Sequence, residues 1–187
     1  MDPEREKFLL DKAQEDLGAF EEIYDHYFPK IYAYVRYRVT NLQDVEDLTA
    51  AIFLRTTERL GEFQWRGNGS FAAWIFRIAH SQVIDFYRKR GSTLELGHSV
   101  NLNELACHNP QPGDAALQNE KFAMLRRLIG TLSPRRREVL TLKFYGGLRN
   151  NEIAQILELD ERTVASHLCR GLEDLHERYL TQYVNCD

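Results

Sequence analysis

The residues best suited to chemistry in this chain lie between positions 63 and 90, which read FQWRGNGSFAAWIFRIAHSQVIDFYRKR. Basic side chains at Arg66, Arg77, Arg88, Lys89 and Arg90 are interleaved with Phe63, Trp65, Phe71, Trp74, Phe76, Phe86 and Tyr87. A glycine-bearing loop, Trp65-Arg66-Gly67-Asn68-Gly69, precedes them. Cations hold phosphates and flat rings receive unstacked bases, so this composition suits single-stranded nucleic acid. Trp65, Arg66, Asn68, Arg77, Ser81, Arg88, Lys89 and Arg90 are the candidate contacts. The same aromatics also suit an ordinary core helix with a solvated basic end, and Trp74 is read as core.

A second candidate lies near the C-terminus. Asn151-Glu152-Ile153-Ala154-Gln155-Ile156-Leu157 reads as a short helix, and Glu158-Leu159 as a turn. Asp160 then caps a last helix with Val164, Leu168, Leu172, Leu175 and Tyr179 on one face. Arg162, Thr163, Ala165, Ser166, His167 and Arg170 point the other way, so the pair forms a helix-turn-helix with a recognition helix.

The elements around these candidates are helical. Phe71, Trp74, Ile75, Ile78, Ala79, Val83 and Phe86 recur at the i, i+3, i+4, i+7 spacing of an amphipathic helix over Ser70–Arg90. Leu17, Phe20, Ile23, Tyr24, Tyr27 and Phe28 open the first apolar pattern. Pro29 fits the first turn of a following helix that carries Ile31, Tyr32, Val35 and Val39. Asn41 caps a helix over Leu42–Leu60, with Asp44 in its first turn, Val45, Leu48, Ile52 and Leu60 buried, and Gly61 closing it. Ser133 as N-cap and Pro134 at the first helical position start another. Residues 91–117, GSTLELGHSVNLNELACHNPQPGDAAL, break the pattern with Gly, Pro, Asn and Ser. That stretch carries Glu95, Glu104 and Asp114 but no Lys or Arg. Fully extended it reaches roughly 90 Å, enough to join two DNA elements more than two helical turns apart. The expected architecture is all-α: a polar lead-in over 1–16, a four-helix bundle over 17–91, an acidic flexible linker over 92–117, and a helix-turn-helix domain over 118–183. The lead-in is read as a frayed helix or flexible segment.

Composition narrows the function classes. The 187 residues carry a net charge of −4, so overall charge does not signal a nucleic-acid binder. Residues 20–91 are the least acidic segment, at net +1. Cys107, Cys169 and Cys186 are odd in number and form no CxxC, which argues against a disulfide framework and suits a reducing cytoplasm. Cys107, His108 and His98 lack a familiar ligand spacing, so no metal is expected. No apolar run approaches the ~20 residues of a membrane span, and the acidic start is no signal peptide. Neither a nucleophile–base pair nor a phosphate loop occurs. The chain reads as a non-enzyme without a cofactor.

The words Ser70-Phe71-Ala72-Ala73-Trp74-Ile75-Phe76-Arg77-Ile78-Ala79, followed by Ile84-Asp85 and the basic run, resemble the promoter-melting region of bacterial RNA polymerase sigma factors, the extracytoplasmic-function (group IV) type above all. The helix-turn-helix resembles the −35-reading domain of the same family, and the resemblance covers roughly residues 17–180. It implies that the loop before the helix captures a flipped base, that the helix reads the −10 element, and that residues 161–171 read the −35 element. It also implies docking of core RNA polymerase on the Leu42–Leu60 helix, at Asp44, Glu46, Asp47, Ala50, Ala51, Phe53 and Leu54. Core polymerase, promoter DNA and an anti-sigma factor or other regulator are the implied partners, in the cytoplasm. The linker would lie in the polymerase's RNA path.

Several positions depart from the family pattern. Arg149 stands where a Ser or Thr cap is usual, so Asn150 is expected to take over the capping. Glu158 stands where the turn usually has Gly. The usual Gly-Thr-Val-Lys-Ser-Arg of the recognition helix is Arg162-Thr163-Val164-Ala165-Ser166-His167. Ser81 replaces an Asn at a −10-reading position. Ala50 and Ala51 replace a Gln or acidic side chain on the docking surface. Phosphorylation of Thr49, Thr56 or Thr57 is one way to supply the missing charge there. A DNA-binding regulator unconnected with polymerase and a sigma-like decoy are the competing readings.

Overall fold

The computed structural model describes residues 1–39, 41–67, 69–90 and 127–181. The expected linker 92–117, with His98, Cys107 and His108, lies outside them, as do Asn68 and Cys186. The described residues form α1 (Pro3–Ala13), α2 (Glu21–Arg38), α3 (Leu42–Glu58), α4 (Ser70–Lys89), α5 (Pro134–Phe144), α6 (Asn150–Leu157) and α7 (Glu161–Tyr179). No described helix is long and apolar enough to cross a membrane.

Several starts follow from local side-chain chemistry. Asn41 Oδ1 accepts the Asp44 amide at 3.2 Å, and Asp160 Oδ1 accepts the Thr163 amide at 2.8 Å. Each satisfies an amide that the first helical turn leaves unbonded. Ser133 occupies its N-cap position but its hydroxyl makes no capping bond, so Pro134 alone marks that start chemically. The α3 helix ends at Glu58, and Gly61 falls inside the 3₁₀ turn Leu60–Glu62 that follows.

Two local expectations need correction. The lead-in is neither frayed nor flexible: α1 is capped by Asp2 and buries Leu9, Leu10 and Ala13 in the core. Pro29 does not begin a helix either, because α2 runs through it. The Pro29 ring is exposed, while Tyr27, Ile31 and Tyr34 are buried on either side of it. That continuous buried stripe outweighs the loss of one backbone hydrogen bond.

The two halves of the chain share one core. Helix α4 packs on α3 along one side and on α6 along another. The core runs without interruption from Leu10, Ile31, Ile52 and Phe71 to Leu142, Ile153 and Leu157. Phe76 is fully buried, edge-on to Tyr34 at 5.6 Å between ring centroids. A Cβ on Gly146 would come within 3.0 Å of Phe76 Cε1, so the absence of a side chain at 146 admits the ring of the other half. Tyr37 of α2 stacks on Tyr145 beyond α5 at 4.8 Å. Sequence periodicity assigns α4 one apolar face, whereas the fold buries Ala72, Ala73 and Phe76 as well.

Candidate nucleic-acid interface

The loop before α4 is built on two glycines with positive φ, +110° at Gly67 and +84° at Gly69. Both angles lie where L side chains are strained. The Ser70 hydroxyl accepts the Arg66 amide at 3.2 Å and fixes the loop's exit into α4. Trp65 is half-buried and packs against the core, leaving one part of its ring reachable, and the Arg66 side chain is exposed. Trp74 is half-buried between Phe63 and Phe71, with ring centroids 5.2 and 5.6 Å away, which agrees with its reading as core.

Most remaining cations on α4 already have partners. The Arg77 guanidinium donates to the Gln155 carbonyl of α6 at 2.9 Å. Arg88 pairs with Asp85 at 2.9 Å, one turn back. Arg90 makes a two-pronged bond to Asp44 at 2.6 and 2.8 Å and lies over the Phe86 ring at 4.3 Å. The pair joins a residue expected on DNA to one expected on polymerase. Ser81 and Lys89 are exposed.

On α3, where docking is expected, Glu46, Asp47, Ala50 and Leu54 are exposed and Ala51 is half-buried. Phe53 is 5% exposed beneath Tyr24 and Phe28, with centroids at 4.6 and 6.2 Å. It therefore supports the surface and does not present itself on it. The rings against it, Tyr24 and Phe28, enter the sequence reading only as part of an apolar pattern, although their i, i+4 spacing along α2 is the signal for a shared aromatic surface there. Thr49 and Thr56 do not supply a phosphorylation surface. Thr49 and Thr56 are 2% and 0% exposed, and Thr56 donates to the Ile52 carbonyl at 2.7 Å. Thr57 is half-buried and donates to the Leu54 carbonyl at 2.8 Å.

The helix-turn-helix forms as its sequence indicates. Its first helix is not capped by Asn150, whose side chain accepts from Lys143 Nζ at 3.2 Å. Glu152 Oε2 instead accepts the Arg149 amide at 2.7 Å, the reciprocal half of a capping box. Glu158 takes the left-handed conformation that the missing glycine would have occupied, at φ 55° and ψ 45°. In α7, Arg162, Ala165 and Arg170 are exposed, and Thr163, Ser166 and His167 are half-buried. The Thr163 hydroxyl is already engaged by Asp160 at 2.5 Å. Burial, followed by the Arg135, Arg136 and Arg170 cations, holds His167 below its ordinary pKa. Arg135 is exposed near His167 at the edge of this face, while Arg136 is held in an ion pair with Asp174 of α7; the Arg135-Arg136-Arg137 run after Pro134 was the overlooked signal. Leu172 and Tyr179 do not complete the buried stripe, being 46% and 42% exposed. The crossing of α7 with α5 is fixed further back, where a Cβ on Gly171 would lie 2.5 Å from Leu140 Cδ1.

The two halves each match a family model: Sigma-70 region 2 over residues 23–93 and Sigma-70 region 4 over residues 122–175. Together they define a sigma-70-type protein with region 2 ahead of region 4. Among curated relatives, the chain is 32% identical over 170 residues to the ECF RNA polymerase sigma factor BldN of Streptomyces coelicolor. That alignment covers 89% of this chain and 63% of BldN. It is 28% identical to the ECF RNA polymerase sigma factor SigW of Bacillus subtilis, covering 87% of this chain and 90% of SigW. The chain belongs to the extracytoplasmic-function (ECF) RNA polymerase sigma factors, a non-enzymatic family that directs RNA polymerase to promoters. Solved structures share the fold. CnrH in complex with the cytosolic domain of CnrY gives a TM-score of 0.71 at 21% identity, covering 95% of this chain and 99% of that one. The sigma factor RpoE in complex with the anti-sigma factor NepR, from Bartonella quintana, gives 0.64 at 22% identity, covering 84% and 94%.

Proposed function

We propose that this ECF sigma factor divides its work between residues 17–91 and 118–183, joined by 92–117. Residues of α3 dock core RNA polymerase, with Asp44, Glu46, Asp47, Ala50 and Leu54 toward the partner and Phe53 backing them. Trp65, Arg66, Asn68, Arg77, Ser81, Arg88, Lys89 and Arg90 read and melt the −10 element. Arg162, Thr163, Ala165, Ser166, His167 and Arg170 read the −35 element, with Arg135 on a neighbouring phosphate. The observation that carries this reading is the glycine loop at +110° and +84° beside a partly reachable Trp65, opening directly onto α4. Such a loop admits a nucleotide close to the backbone, and an aromatic ring can stack on it.

The site of action is the cytoplasm, and an anti-sigma factor or other regulator is the further partner. Support for such a regulator comes from the fold neighbours, which are complexes with an anti-sigma factor or with the cytosolic domain of a second protein. The test is transcription in vitro with core polymerase on DNA fragments recovered with the protein. Defined start sites that require the protein are expected. Recovery of DNA without any protein-dependent transcript contradicts the assignment.

A further inference from the structure

The half-buried Lys30 side chain of α2 faces a cavity of about 180 Å³. Residues of α1 and α2 wall one side of it, and residues 146–149 with Glu152 wall the other. Gly69, Gly146 and Gly147 line the cavity without side chains, which leaves the space open. Its ionisable side chains are Glu6, His26, Tyr27, Lys30, Arg149 and Glu152. None of them is assigned above to DNA or to polymerase.

Lys30 Nζ lies 2.9 Å from His26 Nε2 and 5.2 Å from the centroid of the Tyr27 ring. An ammonium group has no lone pair, so Nζ donates and the imidazole nitrogen accepts. Burial pulls Lys30 below its ordinary pKa, against the opposing pull of the Glu6 and Glu152 carboxylates. Burial, followed by the charges of Lys30 and the Met1 amine, holds His26 below its own ordinary value. At neutral pH the imidazole is therefore free to take a proton. The two carboxylates already accept other hydrogen bonds. The Tyr27 hydroxyl donates to Glu6 Oε1 at 2.5 Å, and the Arg149 amide donates to Glu152 Oε2 at 2.7 Å. A partly desolvated amine beside a proton acceptor is the arrangement that makes lysine a nucleophile toward carbonyl carbon.

We propose that Lys30 is a covalent site for a small aldehyde, held as an iminium facing Glu6 and Glu152, with His26 as the proton shuttle. Nζ gives one proton to His26 Nε2 and attacks the carbonyl carbon, forming the C–N bond. The nitrogen passes a second proton to the oxygen, which gives the carbinolamine. His26 then returns its proton as the hydroxyl leaves as water, and the nitrogen electron pair closes the C=N bond. Ammonium and aldehyde become iminium and water, with nothing oxidised or reduced. The positive charge is conserved, so the carboxylates keep their counter-charge. Acylation would instead leave a neutral amide facing them, which uncompensated carboxylates oppose. The size of the cavity restricts the partner to a small carbonyl compound.

The test is reductive trapping of the full chain with acetaldehyde and cyanoborohydride near neutral pH, with modified lysines mapped by mass spectrometry. Hydride from cyanoborohydride reduces the imine to a stable secondary amine. Early in the reaction, Lys30 should be alkylated several-fold faster than the exposed Lys7, Lys12 and Lys89. Its rate should also rise at lower pH than theirs, because a depressed pKa frees the amine sooner. The pH profile needs no variant, so it holds whatever a substitution does to folding. His26→Gln, with helical circular dichroism retained, should bring the rate at Lys30 down toward that of the exposed lysines and leave theirs unchanged. Trapping at Lys30 no faster than at those three, a pH profile that coincides with theirs, or a fast rate untouched by His26→Gln overturns the assignment.

Discussion

The two helices proposed to read DNA solve opposite problems. Helix α4 has the residues for its task, but it is embedded: it packs on α3 and α6, its Arg77 is tied to Gln155, and its Arg90 is tied to Asp44. Helix α7 leaves Arg162, Ala165 and Arg170 exposed, but it is poor in the groups that bind DNA. Ala165 offers no contact to a phosphate, and burial and the surrounding arginines lower the pKa of His167. Richness in binding groups and availability for binding are separate properties. The sequence speaks chiefly to the first, and the fold decides the second.

The largest expected effect tests how tightly α4 is embedded. Phe76→Ala removes a fully buried ring that meets Tyr34 in one half and faces Gly146 in the other. A loss of about 3–5 kcal/mol is expected in denaturant unfolding, whereas truncation of the exposed Leu172 on α7 should cost far less. Comparable losses at the two positions would break the comparison.

Acid should also strike α4 first. His80 is pushed down to about 4, by burial before the nearby Arg38 and Arg135 cations. Arg38 neutralises Glu138, so the carboxylate does not rescue an imidazolium there. The unfolded chain binds a proton near 6.5 while the folded chain does not. Stability from this group is complete above that value and falls as pH drops from 6.5 toward 4, by up to about 3 kcal/mol. Thermal unfolding across this window should show the loss, and His80→Gln should flatten it. An unchanged slope in the variant would place the acid sensitivity elsewhere.

How far the sequence reaches can be judged from these same residues. The Asn41 and Asp160 caps, the helix-turn-helix and the basic–aromatic helix depend on neighbours within a few positions, and they were legible. Phe76 and Glu138 were not. Tyr34 and Glu138 meet across 104 positions of sequence, and nothing local marks a glutamate after three arginines as a buried partner. Phe76 belongs to a second stripe on a helix whose first stripe already satisfies the amphipathic pattern. Pro29 misled because its local meaning was overridden by the buried residues flanking it. On α3, exposure departs from sequence polarity at Leu54, which is apolar yet 62% exposed, and at Thr49 and Thr56, which are polar yet buried, because a helix turns only a small rotation from surface to core.

Two smaller effects sharpen the picture of α7. Glu158 at φ 55° carries strain that glycine would not. Glu158→Gly should stabilise the protein by about 1 kcal/mol, seen as a raised unfolding midpoint; a lower midpoint would mean that the carboxylate contributes more than the conformation costs. Ala165→Lys should tighten −35 duplex binding modestly and steepen the logarithmic salt dependence by about 0.9, the value of one added phosphate contact. An unchanged slope would show that position 165 does not face the DNA.

The central claim is that the Trp65 loop opens the −10 element while α7 anchors upstream. It is tested most directly by permanganate reactivity of −10 thymines in promoter complexes formed with core polymerase and either the wild type or Trp65→Ala. One lost stacking contact is worth about 1–3 kcal/mol, so thymine reactivity should fall by roughly tenfold or more while binding to the duplex promoter changes little. Unchanged reactivity in Trp65→Ala, at equal occupancy, would contradict the account.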